Sequence, residues 1–165
     1  MTDWHPLLIA DLDRVNRIAD LVHTTLPERP EVFEEKLRLF PSGCRKLISG
    51  EIIVGYGISH PWMLFSIPPL DDFLQHLPDK AQCLYIHDVV ILPAARGHGA
   101  AGHYVDYVKG VARKMGIPAL ALVSVYGTDR LWSRFGFTVV QDAALDAKLK
   151  SYGGTAKYML CEQND

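Results

Sequence analysis

The chain has 165 residues, 48% of them hydrophobic and 22% charged, ordinary globular usage that suits one domain with a sizeable buried core. Its 17 basic and 19 acidic side chains leave a formal charge of −2, which gives no electrostatic case for a nucleic acid or an anionic membrane surface as partner. No apolar run approaches the ~18 residues of a membrane span. The opening Thr2-Asp3-Trp4-His5-Pro6 lacks the basic start and apolar core of a secretory signal, and Cys44, Cys83 and Cys161 are widely spaced, outside any CxxC pattern. The expectation is a cytoplasmic protein with reduced cysteines and no metal site.

In chain order, Trp4 to Ala10 reads as a first strand. Asp11 is placed to cap a helix running to about Leu26, in which Val15, Ile18, Ala19 and Val22 recur at helical spacing and which Pro27 and Pro30 end. Glu31 to Phe40 reads as a second helix with Val32, Phe33, Leu37 and Phe40 inward. Lys46 to Ser49 and Ile52 to Ser59 flank Gly50-Glu51 and read as an antiparallel hairpin. His60 to Lys80 contains four prolines together with Trp62, Met63, Leu64, Phe65 and Phe73, so an ordered excursion packed over something is expected rather than a tether. A β-rich run from Leu84 to Leu92 follows, then a glycine-rich turn and a helical pattern from Tyr104 to Met115 that Gly116-Ile117-Pro118 stops. Ala119 to Ser124 reads as a strand, Thr128 to Phe135 as a helix and Phe137 to Val140 as a strand; a polar connection leads to a last strand, Ala156 to Cys161. This order is that of a single α/β domain, residues 1–165, built on a mixed sheet.

The turn Arg96-Gly97-His98-Gly99-Ala100-Ala101-Gly102 carries the most chemistry. A strand feeding glycines and then a helix leaves unpaired N–H groups at a positively polarised helix end, a ready cradle for a pyrophosphate. Gly97, Gly99 and Gly102 also fit the spacing of a dinucleotide fingerprint, but the next strand ends in Ser124-Val125 with no acid to hold a ribose. A P-loop would need Lys-Ser or Lys-Thr after the glycines, and neither is there.

The same turn resembles the acetyl-CoA-binding motif of the GNAT superfamily of N-acetyltransferases, Q/R-x-x-G-x-G/A, which Arg96, Gly99 and Ala101 fill in order. Val89-Val90-Ile91-Leu92-Pro93 resembles the strand and bend before that loop, and Leu131-Trp132-Ser133-Arg134-Phe135-Gly136-Phe137 the downstream helix-to-strand segment F/L-Y-x-x-x-G-F. The resemblance implies a mixed sheet with splayed central strands, acetyl-CoA as donor, and an amine of a small molecule or peptide as acceptor, in a chain that acts alone or as a homodimer. It implies that the pantetheine arm pairs with the backbone of Val89, Val90 and Ile91. The pyrophosphate would then lie against Gly97, His98, Gly99, Ala100, Ala101 and Gly102, with Arg96 or His98 meeting its charge and Trp132 lining the channel. Lys109, Arg113 and Lys114 read as the solvated side of the helix.

Acetyl transfer needs the amine as a free base and benefits from a proton donor to the departing thiolate. Tyr85 and His87 alternate onto one face of the strand, and His87 titrates in the useful range, so it leads as base. Asp88, the second candidate, falls on the opposite face of a regular strand unless a bulge intervenes. Both also have plain structural readings, a hydrogen-bonded histidine and a carboxylate on local N–H groups. Trp132 stands where many relatives carry a tyrosine, and an indole cannot serve as acid; Val125 stands where many carry an asparagine. Tyr126 is the substitute acid candidate, against the reading of an exposed turn residue. Trp62, Phe65 and Phe73 read either as core or as an apolar wall for the acceptor. A non-catalytic acyl-CoA sensor is the alternative that Trp132 keeps open.

Overall fold

The computed structural model describes residues 1–163. Strands β1 (Thr2–Pro6), β2 (Arg45–Ser49), β3 (Ile52–Trp62), β4 (Cys83–Ile91), β5 (Ala119–Ser124), β6 (Thr138–Val139) and β7 (Lys157–Glu162) form one mixed sheet in the order β1-β2-β3-β4-β5-β7-β6. Neighbours are antiparallel except β4 and β5. The helices are α1 (Leu12–Val22), α2 (Pro30–Leu39), α3 (Ala100–Met115), α4 (Asp129–Ser133) and α5 (Ala143–Leu149). The expected α/β single sheet is therefore present. No helix among the described residues is long and apolar enough to cross a membrane.

Several boundaries differ from the sequence reading for local reasons. The first strand stops at Pro6, because Leu7 turns to donate its N–H to the Cys44 carbonyl and Ile9–Asp11 forms a 3₁₀ turn. Asp11 does not cap α1; its Oδ2 accepts from Leu8 N–H at 2.9 Å and from Lys46 Nζ at 2.7 Å, tying the turn to β2. Helix α1 ends at Val22, since His23 leaves helical geometry at φ −100°, ψ 59°. Strand β3 runs on through Trp62 and takes His60 and Pro61 into the sheet. The connection after β6 holds α5, which the Asp142 carboxylate caps by accepting from Ala144 N–H at 2.8 Å and Leu145 N–H at 3.2 Å. Its apolar anchors are few, Leu145 and Leu149, which is why periodicity missed it.

The sheet is covered on both sides. Helix α3 and Trp132 of α4 lie on one face, with Tyr104, Val105, Val108 and Ala112 packed on Leu84, Ile86, Leu120 and Leu122. On the other face α1 and α2 bury Val15, Ile18, Phe33 and Leu37 against Tyr56, Ile58 and Val90, and α5 buries Leu145 and Leu149 against Cys83, Tyr85 and Tyr158. The parity along β4 decides which residues reach which layer. Leu84 and Ile86 face α3 and Tyr85 the opposite layer, yet beyond Asp88 the even-numbered Val90 faces α1 and α2 while Val89 packs on the α3 side.

The cause is a bulge. Ile58 of β3 pairs with Asp88 and Ser59 pairs with Ile86, so His87 is an extra residue without a partner on β3. One added residue flips the pleat, and His87 and Asp88 therefore point into the same layer instead of opposite ones. Asp88 is thus moved from the face expected of a regular strand.

The β3–β4 loop is ordered, as expected, but not as a core of aromatics. Leu64 and Ile67 pack beneath it, and Phe65 N–H donates to the Tyr158 hydroxyl at 2.9 Å, while the Phe65 and Phe73 side chains remain 52% and 40% exposed. Phe73 instead lies under the Arg29 guanidinium, 5.3 Å from the ring centre.

Tyr104 fixes the distance between α3 and the sheet: its ring sits where a Cβ on Gly57 would be, 2.3 Å away, while its hydroxyl donates to the Gly43 carbonyl at 2.7 Å. Replacing Gly57→Ala should therefore lower stability by about 1–3 kcal/mol through overpacking, read as a lower denaturant midpoint at unchanged slope.

Candidate active site

Strands β4 and β5 pair over only three residue pairs, Leu84 with Leu120, Tyr85 with Ala121 and Ile86 with Leu122. Beyond them the strands part, β4 continuing to Ile91 and β5 to Ser124. A cavity of about 810 Å³ opens in the gap. It is lined on one side by His87 to Ile91, on the other by Leu122, Val123, Val125 and Tyr126, and at one end by the glycine turn. The splay lies level with the bulge and leaves the β4 backbone beyond Ile86 unpaired on that side.

The turn is built for a ligand's approach. Gly97 and Gly99 sit at φ 88° and 78°, in the left-handed region, and nothing lies within 4 Å of a Cβ on either, so backbone conformation and open space set these two glycines. Gly102 differs: a Cβ there would lie 2.9 Å from the Phe135 ring, so this glycine lets α3 meet the segment after α4. Helix α3 begins at Ala100 with no side-chain cap and no acidic residue in its first turn, leaving its first N–H groups and dipole uncompensated. Arg96 is held over the turn by its Nε–H donating to the Ile91 carbonyl at 2.7 Å.

Of the residues singled out in sequence, Val89, Val90, Ile91, Arg96, Gly97, Gly99, Ala100, Ala101, Gly102 and Trp132 line the cavity, as do His87, Asp88 and Tyr126. His98 does not; it faces a separate hollow beside Thr2, Ser49 and His103. Lys109 is not simply solvated, because its Nζ donates to the Phe135 carbonyl at 2.9 Å. Trp132 is 8% exposed, lies edge-on to Phe135 and Phe137, and donates its indole N–H to Thr128 Oγ1 at 3.2 Å. It walls the cavity, and its indole N–H is a hydrogen-bond donor but no general acid.

Two histidine–carboxylate pairs stand side by side at the bulge. His87 Nε2 meets Glu28 Oε1 at 2.7 Å, with 2% and 6% of the two side chains exposed, and Glu28 Oε2 accepts from the Asp71 backbone N–H at 3.0 Å. His87 Nδ1 is buried and has no hydrogen-bond partner among the described residues. In the second pair, His23 Nε2 lies 2.9 Å and 3.0 Å from the two oxygens of Asp88, whose Oδ2 also accepts from the Tyr56 hydroxyl at 2.6 Å. His23 Nδ1 is 2.9 Å from the Tyr126 hydroxyl. Facing a carboxylate, His23 Nε2 must carry its proton, so Nδ1 accepts from Tyr126 when His23 is neutral and donates to it when charged.

Electrostatics separate the pairs. Burial alone would raise the Glu28 carboxyl, but the charge and hydrogen bond of His87, with the Asp71 N–H and the buried Lys36, outweigh it and hold Glu28 at about 2. Burial disfavours charge on His23, and the hydrogen bond and charge of Asp88, with Glu28 beyond, overcome it and raise the imidazole above its ordinary value. Burial keeps the Tyr56 phenol far above its ordinary value, and burial together with Asp88 raises Tyr126, so both remain protonated donors at neutral pH.

His23, Glu28 and Tyr56 were not visible as site residues in the sequence. His23 reads there as one more helical position and Glu28 as part of the Pro27–Pro30 helix stop. Tyr126, with Gly127, adopts a left-handed backbone, φ 57° and 73°, a strained conformation that Phe65, Asp71 and Gln75 share in the β3–β4 loop.

The Glu28 shift fixes a pH dependence. A carboxyl at about 2 in the folded chain against an ordinary 4.5 contributes stability that is fully present above pH 4.5 and is lost as pH falls toward 2, on the order of 3 kcal/mol. Glu28→Gln should accordingly be destabilised near pH 7, with the deficit to wild type shrinking as urea melts are repeated down to pH 3.

Comparison with known proteins agrees with this architecture. The loading GNATL domain of CurA from Lyngbya majuscula superposes with a TM-score of 0.77 at 13% identity, over 97% of this chain and 96% of that one. Ard1 from Thermoplasma volcanium gives a TM-score of 0.73 at 13% identity, covering 99% of both chains. N-acetylglutamate synthase from Neisseria gonorrhoeae, in complex with coenzyme A and N-acetyl-glutamate, gives 0.74 at 14% identity; all of this chain is covered, matching 36% of that one. No curated protein matches the chain in sequence. The family model for the GNAT acetyltransferases matches residues 16–137, well over half of the chain, and the protein belongs to that family.

Proposed function

We propose that the protein is an N-acetyltransferase that moves the acetyl group of acetyl-CoA directly to the amine of a small molecule or peptide. The observation that carries this reading is the cavity between β4 and β5, which has a phosphate-type cradle at one end and two histidine–carboxylate pairs at the bulge. The N-terminus of α3 with Gly97, Gly99, Ala100 and Ala101 fits a pyrophosphate, Arg96 adds positive charge, and the unpaired backbone of Val89 to Ile91 fits a pantetheine arm. Acetyl-CoA supplies the activated thioester. Trp132 shapes the channel wall.

The remaining chemistry belongs to this chain's side chains. His87 in its neutral form, oriented through Nε2 by Glu28, takes the ammonium proton of the acceptor at Nδ1 through a bridging water, since that nitrogen is buried beneath the cavity wall. Tyr126 presents a phenol at the parting of the strands and gives its proton to the leaving thiolate. His23, whose charged form Asp88 favours, replaces that proton through Nδ1, so the Asp88–His23–Tyr126 line provides the acid missing from position 132. This line weighs against a non-catalytic acyl-CoA sensor, which would have no use for a hydrogen-bonded proton path. The apolar Val22, Leu26 and Leu70 wall the cavity near Glu28 and are the surfaces available to the acceptor's carbon skeleton.

Acetyl-CoA should raise the melting temperature while NAD and ATP do not, with about 2.7 kcal/mol of added stability at a hundredfold excess over Kd. No binding at millimolar acetyl-CoA would sink the reading. In an amine screen, His87→Ala should lower kcat by roughly 10²–10⁴-fold, most severely below the acceptor amine's own pKa, and Tyr126→Phe toward the lower end of that range. A pH–rate profile unchanged by His87→Ala would remove His87 as the base.

A further inference from the structure

Glu28 divides its two oxygens between the catalytic face and a distant loop. Oε1 holds His87 Nε2 at 2.7 Å, and Oε2 takes the backbone N–H of Asp71 at 3.0 Å. Asp71 is in turn locked to the residue after Glu28. Its Oδ1 accepts from Arg29 N–H at 2.7 Å and Arg29 Nε at 3.0 Å, and its carbonyl accepts from Arg29 Nη2 at 2.7 Å. To offer N–H, carbonyl and side chain to the α1–α2 link at once, Asp71 adopts φ 54°, a left-handed conformation unusual for a residue other than glycine.

The Arg29–Asp71 ion pair is itself half-exposed, with 52% and 40% of the side chains accessible, and such pairs add little to stability. Its effect is geometric: it fixes where one N–H donor points. Leu70, the preceding residue, lines the cavity, so the same seating also sets part of the wall near Glu28. The charged groups coupled to Glu28 are His87 on β4, Lys36 on α2, His23 at the end of α1 and, as a like charge, the Asp71 carboxylate, whose backbone N–H is the loop's favourable contribution.

Resting on the reading of His87 as base, we propose that Asp71 is a positioning residue for His87, acting through Glu28. The β3–β4 loop, clamped by Arg29, sets the carboxylate that fixes the imidazole's tautomer. Without the clamp Glu28 rotates to its other neighbours and Nε2–H loses its acceptor.

The tautomer can be observed without a substrate. In ¹⁵N-labelled protein near neutral pH, His87 should show a hydrogen-bonded Nε2–H proton resonance. Asp71→Gly relieves the backbone strain and removes the two Oδ1 contacts of the clamp, keeping the carbonyl and N–H, while Leu74 N–H and Gln75 N–H still anchor the loop on Glu35, so the fold should survive. Exchange of the His87 Nε2–H with water should then quicken at least ~10-fold. Asp71→Asn, which keeps the oxygen acceptor and tolerates the left-handed backbone, should restore slow exchange. Arg29→Ala, which leaves the loop's own residues unaltered, should match Asp71→Gly. Unchanged exchange in both Asp71→Gly and Arg29→Ala, no rescue by Asp71→Asn, or no Nε2–H resonance in wild type would each overturn the proposal. Calorimetry with acetyl-CoA runs alongside: absent binding would sink the transferase reading and leave the exchange result standing, whereas retained binding with unchanged exchange sinks only the role of Asp71.

Discussion

The extra residue in β4 at His87 is the constraint from which the site follows. In an unbroken pleat, His87 and Asp88 would point to opposite layers, one toward α1 and α2 and the other into the close packing under α3. The bulge brings Asp88 to the side His87 already faces, the layer where the α1–α2 link arrives with His23 and Glu28, and it does so where β5 stops pairing with β4. A register irregularity and a parting of strands at the same level produce a cavity and furnish it. Neither would suffice alone: a splay without the bulge leaves one titratable side chain at the gap, and a bulge without the splay buries both with no ligand space.

Burying two carboxylates and two imidazoles this closely is costly unless each has a partner in good geometry. Every carboxylate oxygen of Glu28 and Asp88 accepts at least one hydrogen bond, from His87 and the Asp71 N–H in one case and from His23 and Tyr56 in the other. The pairs are chemically unequal. Glu28 is held strongly ionised beside an imidazole whose second nitrogen is free of protein partners, whereas Asp88 supports an imidazole already engaged by a phenol. In the proposed reaction, that inequality separates an accepting arm from a donating arm within one cavity.

The glycine turn and the order of strands and helices were readable in the sequence because they rest on local chemistry: left-handed glycines, a strand-to-helix step, and prolines at helix ends. The bulge was not, since nothing in Tyr-Ile-His-Asp-Val distinguishes an alternating strand from one with an inserted residue; only the pairing with Ile58 and Ser59 decides it. His23 and Glu28 were hidden for the same kind of reason. They lie at the end of a helix and in its proline-flanked link, and their importance comes from a strand some sixty residues away in the chain, His23 with Asp88 and Glu28 with His87. Gly102, which fits a phosphate fingerprint by spacing, answers instead to the Phe135 ring. His98, adjacent to both left-handed glycines, faces the wrong side of the turn. Spacing identified the loop and could not say which of its residues look into the cavity.

The three residue pairs that join β4 to β5 also bear on the mechanics of the molecule. Across that seam the sheet is two half-sheets, β1 to β4 and β5 to β7, held together by a short parallel ladder and by the helices that straddle it. A strand-like arm lying in the gap would complete the ladder along Val89 to Ile91, so the donor would act as a removable eighth strand of the architecture. Part of the enzyme's stiffness would then be borrowed from the molecule it consumes, greatest when the donor is bound and relaxed each time the spent carrier departs.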